Sequence, residues 1–273
     1  MNETISILGC GWYGLPLAKA LRSQNHLVKG STTSPGKMAM LRQADIEPFL
    51  ISFEEDRIAY DPKFFNSKIL VICIPPKRSA GGQSGFPDKI QHILNAAENG
   101  SIENIIFISS TAVYGDHNKM VTESDEPDPE TPSGQAMVQA EQILRHQTTK
   151  TTIIRFAGLI GPERDPARFF AGKTNVPNGR APVNLIHLED CIGLTISILE
   201  QNAFGHIFNA ACPDHPSKQD FYAKAAVRSK LEVPTFIDEL NQWKTVSTNH
   251  IPSLLKYKYK IPNWSDWLRS DKL

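Results

Sequence analysis

One constellation in the sequence is suited to holding an anion. Gly9-Cys10-Gly11-Trp12-Tyr13-Gly14 is a Gly-x-Gly-x-x-Gly run. It follows the apolar, β-branched run Thr4-Ile5-Ser6-Ile7-Leu8 and precedes residues 15–23, where Leu17, Ala18 and Leu21 recur at helical spacing. In that setting, glycines turn a strand into a helix and aim main-chain N–H groups and the helix N-terminus at a phosphate. Gly9 permits the tight turn, Gly11 lets the backbone approach a pyrophosphate, and Gly14 lets the helix pack on the sheet. Trp12 and Tyr13 complete the run. The expected ligand is therefore a dinucleotide, NADP or NAD.

The residues after the second strand bear on which of the two. An NAD-specific site carries an acid about 20 residues beyond the glycines. Here the chain reads Lys29-Gly30-Ser31-Thr32-Thr33-Ser34, and the first acid, Asp45, comes too late. The hydroxyls of Thr32, Thr33 and Ser34, with Lys37, suit a 2′-phosphate, so NADP is the expected preference. The plainer alternative is that Thr32 to Ser34 only turn the chain and cap the next helix. Pro75 and Ser109, each at a strand end, join the expected coenzyme contacts. Arg155, Arg164 and His187 are candidate substrate contacts: two cations for an anion and an imidazole that titrates near neutrality. Arg155 also reads as a strand-end anchor. His187 also reads as a satisfied structural side chain, with Asp190 capping the helix that follows.

These side chains need strands and helices to place them. Strands are expected at 4–8, 27–30, 47–53, 68–74, 104–109 and 152–156, and helices at 15–23, 34–41 and 87–97. A further helix opens at Thr131-Pro132, with a hydroxyl cap and proline in the first turn. The run 68–74 is almost wholly apolar, as suits a strand covered on both faces. Strands alternating with helices imply a parallel sheet with helices on both sides. The expected fold is α/β: a doubly wound parallel Rossmann sheet over 1–160, completed by about 183–210, with a smaller C-terminal α/β lobe over 161–273. Residues 80–85, Ala-Gly-Gly-Gln-Ser-Gly, are expected to form a flexible loop that either closes over a substrate or is simply mobile.

Composition sets the remaining bounds. Lys plus Arg and Asp plus Glu number 29 each, which argues against a bulk electrostatic grip on nucleic acid or membrane. The four cysteines form no Cys-x-x-Cys pair, so no metal site is expected, and Cys10, Cys73 and Cys191 read as small buried residues. No signal peptide or bilayer-spanning run is evident, and a cytoplasmic location is expected.

Three later segments carry a family resemblance. They are Ile106-Phe107-Ile108-Ser109-Ser110-Thr111-Ala112-Val113-Tyr114-Gly115, then 154–162 (IRFAGLIGP), then 183–190 (VNLIHLED). In order and spacing the set resembles the extended short-chain dehydrogenases/reductases, in particular their atypical, nucleoside-diphosphate-sugar epimerase-like branch. That resemblance implies NAD(P), a small polar substrate, possible nucleotide-sugar specificity, a C-terminal substrate lobe and a homodimer built on helices 87–97 and 132–147. It places a catalytic hydroxyl at Ser110, with Thr111 beside it as a further candidate substrate contact.

The family's acid–base pair is a Tyr-x-x-x-Lys on a helix. A phenol ionises near pH ~10 and needs an adjacent cation to work at neutrality. Aligned on Gly134 and Glu141, those positions hold Ser133 and Met137, and none of the six tyrosines has lysine four residues later. A thioether carries no charge. Tyr114, with His117 and Lys119 beyond it, is the candidate replacement acid, although the resemblance equally assigns this tyrosine to the structure of its loop. Gly158 stands where the family has asparagine, and the glycine run is GxGxxG where the family has GxxGxxG. Two functions follow as expectations: an NADP-dependent epimerase, dehydratase or reductase using Ser110 and Tyr114, or an NAD(P)-binding sensor or scaffold without the relay. A hydroxyacid dehydrogenase would require a long helical second domain, which the Pro-rich tail after Cys212 does not suggest.

Overall fold

The computed structural model describes residues 3–54, 57–76 and 83–270. Seven strands form the central sheet: β1 (Thr4–Leu8), β2 (Leu27–Thr32), β3 (Glu47–Leu50), β4 (Ile69–Ile72), β5 (Asn104–Ser110), β6 (Lys150–Phe156) and β7 (Ile207–Ala210), in the order β7-β6-β5-β4-β1-β2-β3. The pairings β1–β2, β2–β3, β1–β4 and β4–β5 are parallel, with Ile7 opposite both Gly30 and Val71. β4 is buried at all four positions, as its unbroken apolar run requires.

The helices are α1 (Gly14–Ser23), α2 (Met38–Gln43), α3 (Phe86–Ala97), α4 (Pro132–Arg145), α5 (Leu188–Glu200), α6 (Lys218–Arg228), α7 (His250–Leu255) and α8 (Trp264–Arg269). Thr131 caps α4 as expected, its hydroxyl accepting from the Gly134 amide at 3.1 Å. The chain winds outward from β1 through β2 to β3, then returns to the other side of β1 at β4. The carboxyl ends of β1 and β4 are thus the switch point of the winding, where ligands of such sheets bind.

The chain divides into two compact units. The first comprises 1–113, 129–155 and 195–207; the second comprises 114–128, 156–194 and 208–273. Within the stretch expected to return to the sheet, 183–210, residues 207–210 supply its strand β7. The second unit has its own core of Ile160, Val183, Leu185, Cys212, Phe221, Tyr222, Ile261, Trp264 and Trp267. Two parallel strand pairs frame it: 158–160 with 185–187, and 119–121 with 244–246.

Two elements differ from expectation. The strand expected over 47–53 is divided: β3 ends at Leu50, and Ser52–Glu54 turns into an antiparallel pair with Arg57–Ala59. Buried Ile51 and Phe53 keep the apolar pattern running through the break, so the sequence conceals it. The tail after Cys212 is more helical than its prolines suggested, with α6, α7 and α8, although each is short.

Candidate functional site

The glycine run lies at the switch point of the first unit, and its three glycines do three different jobs. Gly9 has φ +102°, a left-handed conformation that side chains resist. A Cβ at Gly14 would collide with the Gly9 carbonyl, so the start of α1 lies directly on the turn. A Cβ at Gly11 would meet none of the described residues within 4 Å, so among them nothing covers the loop at this point. The Tyr13 N-cap makes no side-chain hydrogen bond to the first turn of α1. An open cradle at a helix N-terminus fits the pyrophosphate of a dinucleotide.

Ser31 fixes the loop and was missed by sequence reasoning. Its Oγ accepts from the Gly9 amide at 2.8 Å, and its carbonyl accepts from Cys10 N at 2.9 Å. The only hint in the sequence was a small hydroxyl residue at the end of β2. Gly30 beside it leaves room for Cys10, whose Sγ would lie 2.8 Å from an added Cβ. Burial pushes the Cys10 thiol up to about 12 and Cys191 well above the usual range, so these are packing groups as expected, whereas Cys73 is half-buried.

The other expected coenzyme residues are placed as follows. Tyr13 points inward, its hydroxyl 2.6 Å from Thr195 Oγ1 on α5. Trp12 is half-buried. Thr32 is buried and makes the turn, accepting from Ser34 N at 3.1 Å, while Thr33, Ser34 and Lys37 are exposed. Pro75 is exposed just past β4. Residues 80–82 of the expected flexible loop lie outside the described residues.

Ser109 and Arg155 are not surface groups. Ser109 donates to Glu141 Oε1 at 2.5 Å, and Arg155 grips both Glu141 oxygens, with Nε at 3.0 Å from Oε1 and NH2 at 2.6 Å from Oε2. All three are at most 3% exposed. This buried cluster ties β5, α4 and β6 together, so the anchor reading of Arg155 describes its geometry and the substrate-contact reading does not. Ser109 likewise lacks access to a coenzyme through its side chain. Its neighbour Ser110 is half-buried at the end of β5, where its Oγ accepts from Ala112 N at 3.1 Å. Thr111 is buried beside it.

On α4, Met137 is 7% exposed and packs on the buried face with Ala136, Ala140 and Leu144. Ser133 lies 3.2 Å from the Thr131 hydroxyl at the helix start. Neither supplies a proton donor with a cation behind it.

In the second unit, Tyr114 is committed elsewhere. It is 3% exposed, and its hydroxyl lies 2.9 Å from both the Thr122 carbonyl and Asn209 Oδ1. Lys244 donates to the Tyr114 carbonyl and to Asp116, Lys119 pairs with Asp125, and His117 pairs with Asp128. The expected replacement acid is thus the hub of a stapled loop, and its two expected helpers serve carboxylates. Arg164 is exposed, in a tight turn whose backbone closes on Gly161.

The roles expected of His187 and Asp190 are exchanged. Asp190 lies inside α5, where its carboxylate accepts from Tyr257 Oη and the amides of Lys260 and Ile261, clamping the C-terminal tail. His187 does the capping, its Nδ1 accepting from the Glu189 amide at 3.2 Å. The proton therefore sits on Nε2, which is buried and finds no acceptor among the described residues. Burial lowers the His187 pKa from its usual value, and the Arg228 charge adds to that against the pull of Glu189 and Asp190. No metal-binding cluster occurs among the described residues, and none of their helices is long and apolar enough to cross a membrane.

A doubly wound sheet with a glycine cradle at its switch point defines a dinucleotide-binding protein. Residues 9–184 match the model of a family described as NAD(P)H-binding. The chain is 36% identical over 267 residues to Protein YeeZ of Escherichia coli K12, covering 96% of this chain and 97% of the other. The protein belongs to this NAD(P)H-binding family. Its fold is also that of a conserved Silicibacter pomeroyi protein, at TM-score 0.75 and 24% identity with 97% and 96% coverage. UDP-glucuronic acid 4-epimerase from Bacillus cereus, solved in complex with NAD, matches at TM-score 0.79 and 18% identity with 97% and 96% coverage.

Proposed function

We propose that the chain binds NADP(H) in preference to NAD(H) on the Gly9–Gly14 loop and holds it as a sensor or scaffold, without the proton relay of its epimerase-like relatives. The observation that carries this reading is α4, where the relay positions hold Ser133 and a buried, uncharged Met137. The buried Tyr114 hydroxyl supports it from the second unit. When bound, the nicotinamide supplies or accepts a hydride. This chain's residues bind and orient it, but a hydride step that also needs a proton finds no tuned acid among the groups named above. The NADP preference rests on exposed Thr33, Ser34 and Lys37 past β2 and on the absence of an acid between 27 and 44.

One observation favours a second reading. Ser110 keeps a half-buried hydroxyl at the strand end, as an epimerase, dehydratase or reductase acting on a nucleotide-sugar would need.

Calorimetry with NADPH and NADH, followed by turnover assays with UDP-glucuronic acid and UDP-glucose, the ligands of two structural neighbours, separates the readings. The expected result is tighter NADPH binding, weakened by Lys37→Ala, with no turnover. Equal affinity for the two coenzymes removes the NADP preference. Turnover lost in Ser110→Ala but kept in Tyr114→Phe replaces the sensor with an enzyme whose acid is not Tyr114.

A further inference from the structure

The second unit contains a groove of about 970 Å³ between α6 and α8. Four cations line it, Lys224, Arg228, Lys230 and Arg269, against one carboxylate, Asp165. The chain as a whole carries no net charge, so this concentration of one sign is local. We propose that the groove binds the phosphates of a nucleotide-sized small molecule. The inference does not depend on the coenzyme reading, because every residue it uses lies outside the glycine loop.

The cations are differently prepared for that task. Arg228 is set in advance: its guanidinium carbon lies 4.2 Å from the centre of the Trp267 ring, and NH2 donates to the Ser270 carbonyl at 3.1 Å. Stacking on the ring holds this guanidinium in a fixed plane within the groove. Arg269 pairs with Asp266 at 2.6 Å, but both side chains are more than 70% exposed, so the pair yields readily to a better anion. Asp165 already has a partner, its Oδ1 accepting from Ala167 N at 2.9 Å.

Helix C-termini attract cations, but that effect is confined to the last turn. Lys224 sits a turn inside α6 and Lys230 lies beyond its end, so the helix end alone does not gather them. Ser229 and Ser265 add hydroxyl donors, while Val227 and Leu268 form an apolar strip. Val227 is 66% exposed, which leaves it open to a base or another flat apolar group. The volume matches sites for ligands of nucleotide size.

The test uses the full chain and the indole N–H signals of its four tryptophans, Trp12, Trp243, Trp264 and Trp267, with Trp267 assigned by Trp267→Phe. Trp12 reports the glycine loop and Trp267 reports the groove, so one spectrum separates failure here from failure of the coenzyme reading. ADP and inorganic tripolyphosphate are expected to shift the Trp267 signal saturably, and adenosine is not. The exposed-cation variant Lys224→Gln/Lys230→Gln/Arg269→Gln, which leaves Arg228 on its tryptophan, is expected to weaken that response about tenfold or more while Trp12 responds as before. Three results overturn the proposal: no saturable Trp267 shift at millimolar ADP, the same shift in the triple variant, or a response to duplex DNA with none to ADP.

Discussion

The glycine loop and helix α4 sit in the same unit of the fold but differ in kind. The loop has the features that anion binding uses: left-handed backbone at Gly9, space over Gly11 that no described residue fills, and contact between Gly14 and the turn. Helix α4 keeps its place in the sheet–helix packing through Glu141, and it carries Ser133 and buried Met137 where the resemblance leads one to expect a tyrosine and a lysine. Phosphate binding is done by main chain, so it survives change in side chains as long as the glycines remain. The acid–base work that the resemblance implies depends on two side chains, and Ser133 and Met137 supply neither a phenol nor a charge.

The largest expected effect tests α4 as structure. Glu141→Ala leaves the Arg155 guanidinium buried without its carboxylate, and breaking such a pair costs about 3–5 kcal/mol. Urea unfolding should show the loss, and a cost under about 1 kcal/mol would mean that α4 is not held through this cluster.

The next effect tests the loop. Gly14→Val drives a side chain into the Gly9 carbonyl, and coenzyme affinity should fall about tenfold or more, or ~1.4 kcal/mol. Calorimetry showing unchanged affinity in a folded variant would move the coenzyme elsewhere.

The smallest effect sharpens the contrast from the second unit. His187 is held neutral by burial, with Arg228 reinforcing this and Glu189 and Asp190 opposing it. The unfolded chain takes up a proton at about pH 6.5 and the folded chain resists it. Its contribution is therefore complete above pH 6.5 and is lost as pH falls from there towards the lower folded value. Unfolding midpoints between about pH 7.5 and 5.5 should fall less steeply in His187→Gln than in the native chain. An identical slope would assign the effect to His215, whose pKa burial also lowers.

Much of the first unit was legible in residue order. Apolar runs such as 69–72, glycines at 9, 11 and 14, and Thr131-Pro132 ahead of α4 act through neighbours a few residues away, so their pattern carries their meaning. The departures came where one residue's role depends on a distant partner. Ile51 and Phe53 look like a continuing strand until the pairing with 57–59 is known. Asp190 looks like a cap until the tail at 257–261 returns to it.

The sequence by itself determined the strand–loop–helix that opens the sheet, the alternation that winds it, and the lack of a tyrosine–lysine pair. These follow from backbone conformation, helical and strand periodicity, and residue identity, all of which are local. Only the tertiary structure decided that Arg155 belongs to Glu141, that the Tyr114 hydroxyl belongs to Thr122 and Asn209, and that Ser31 holds the glycine turn. A polar side chain bonds to whatever the fold brings within about 3 Å of it, and that partner lies 8 to 95 residues away in these cases.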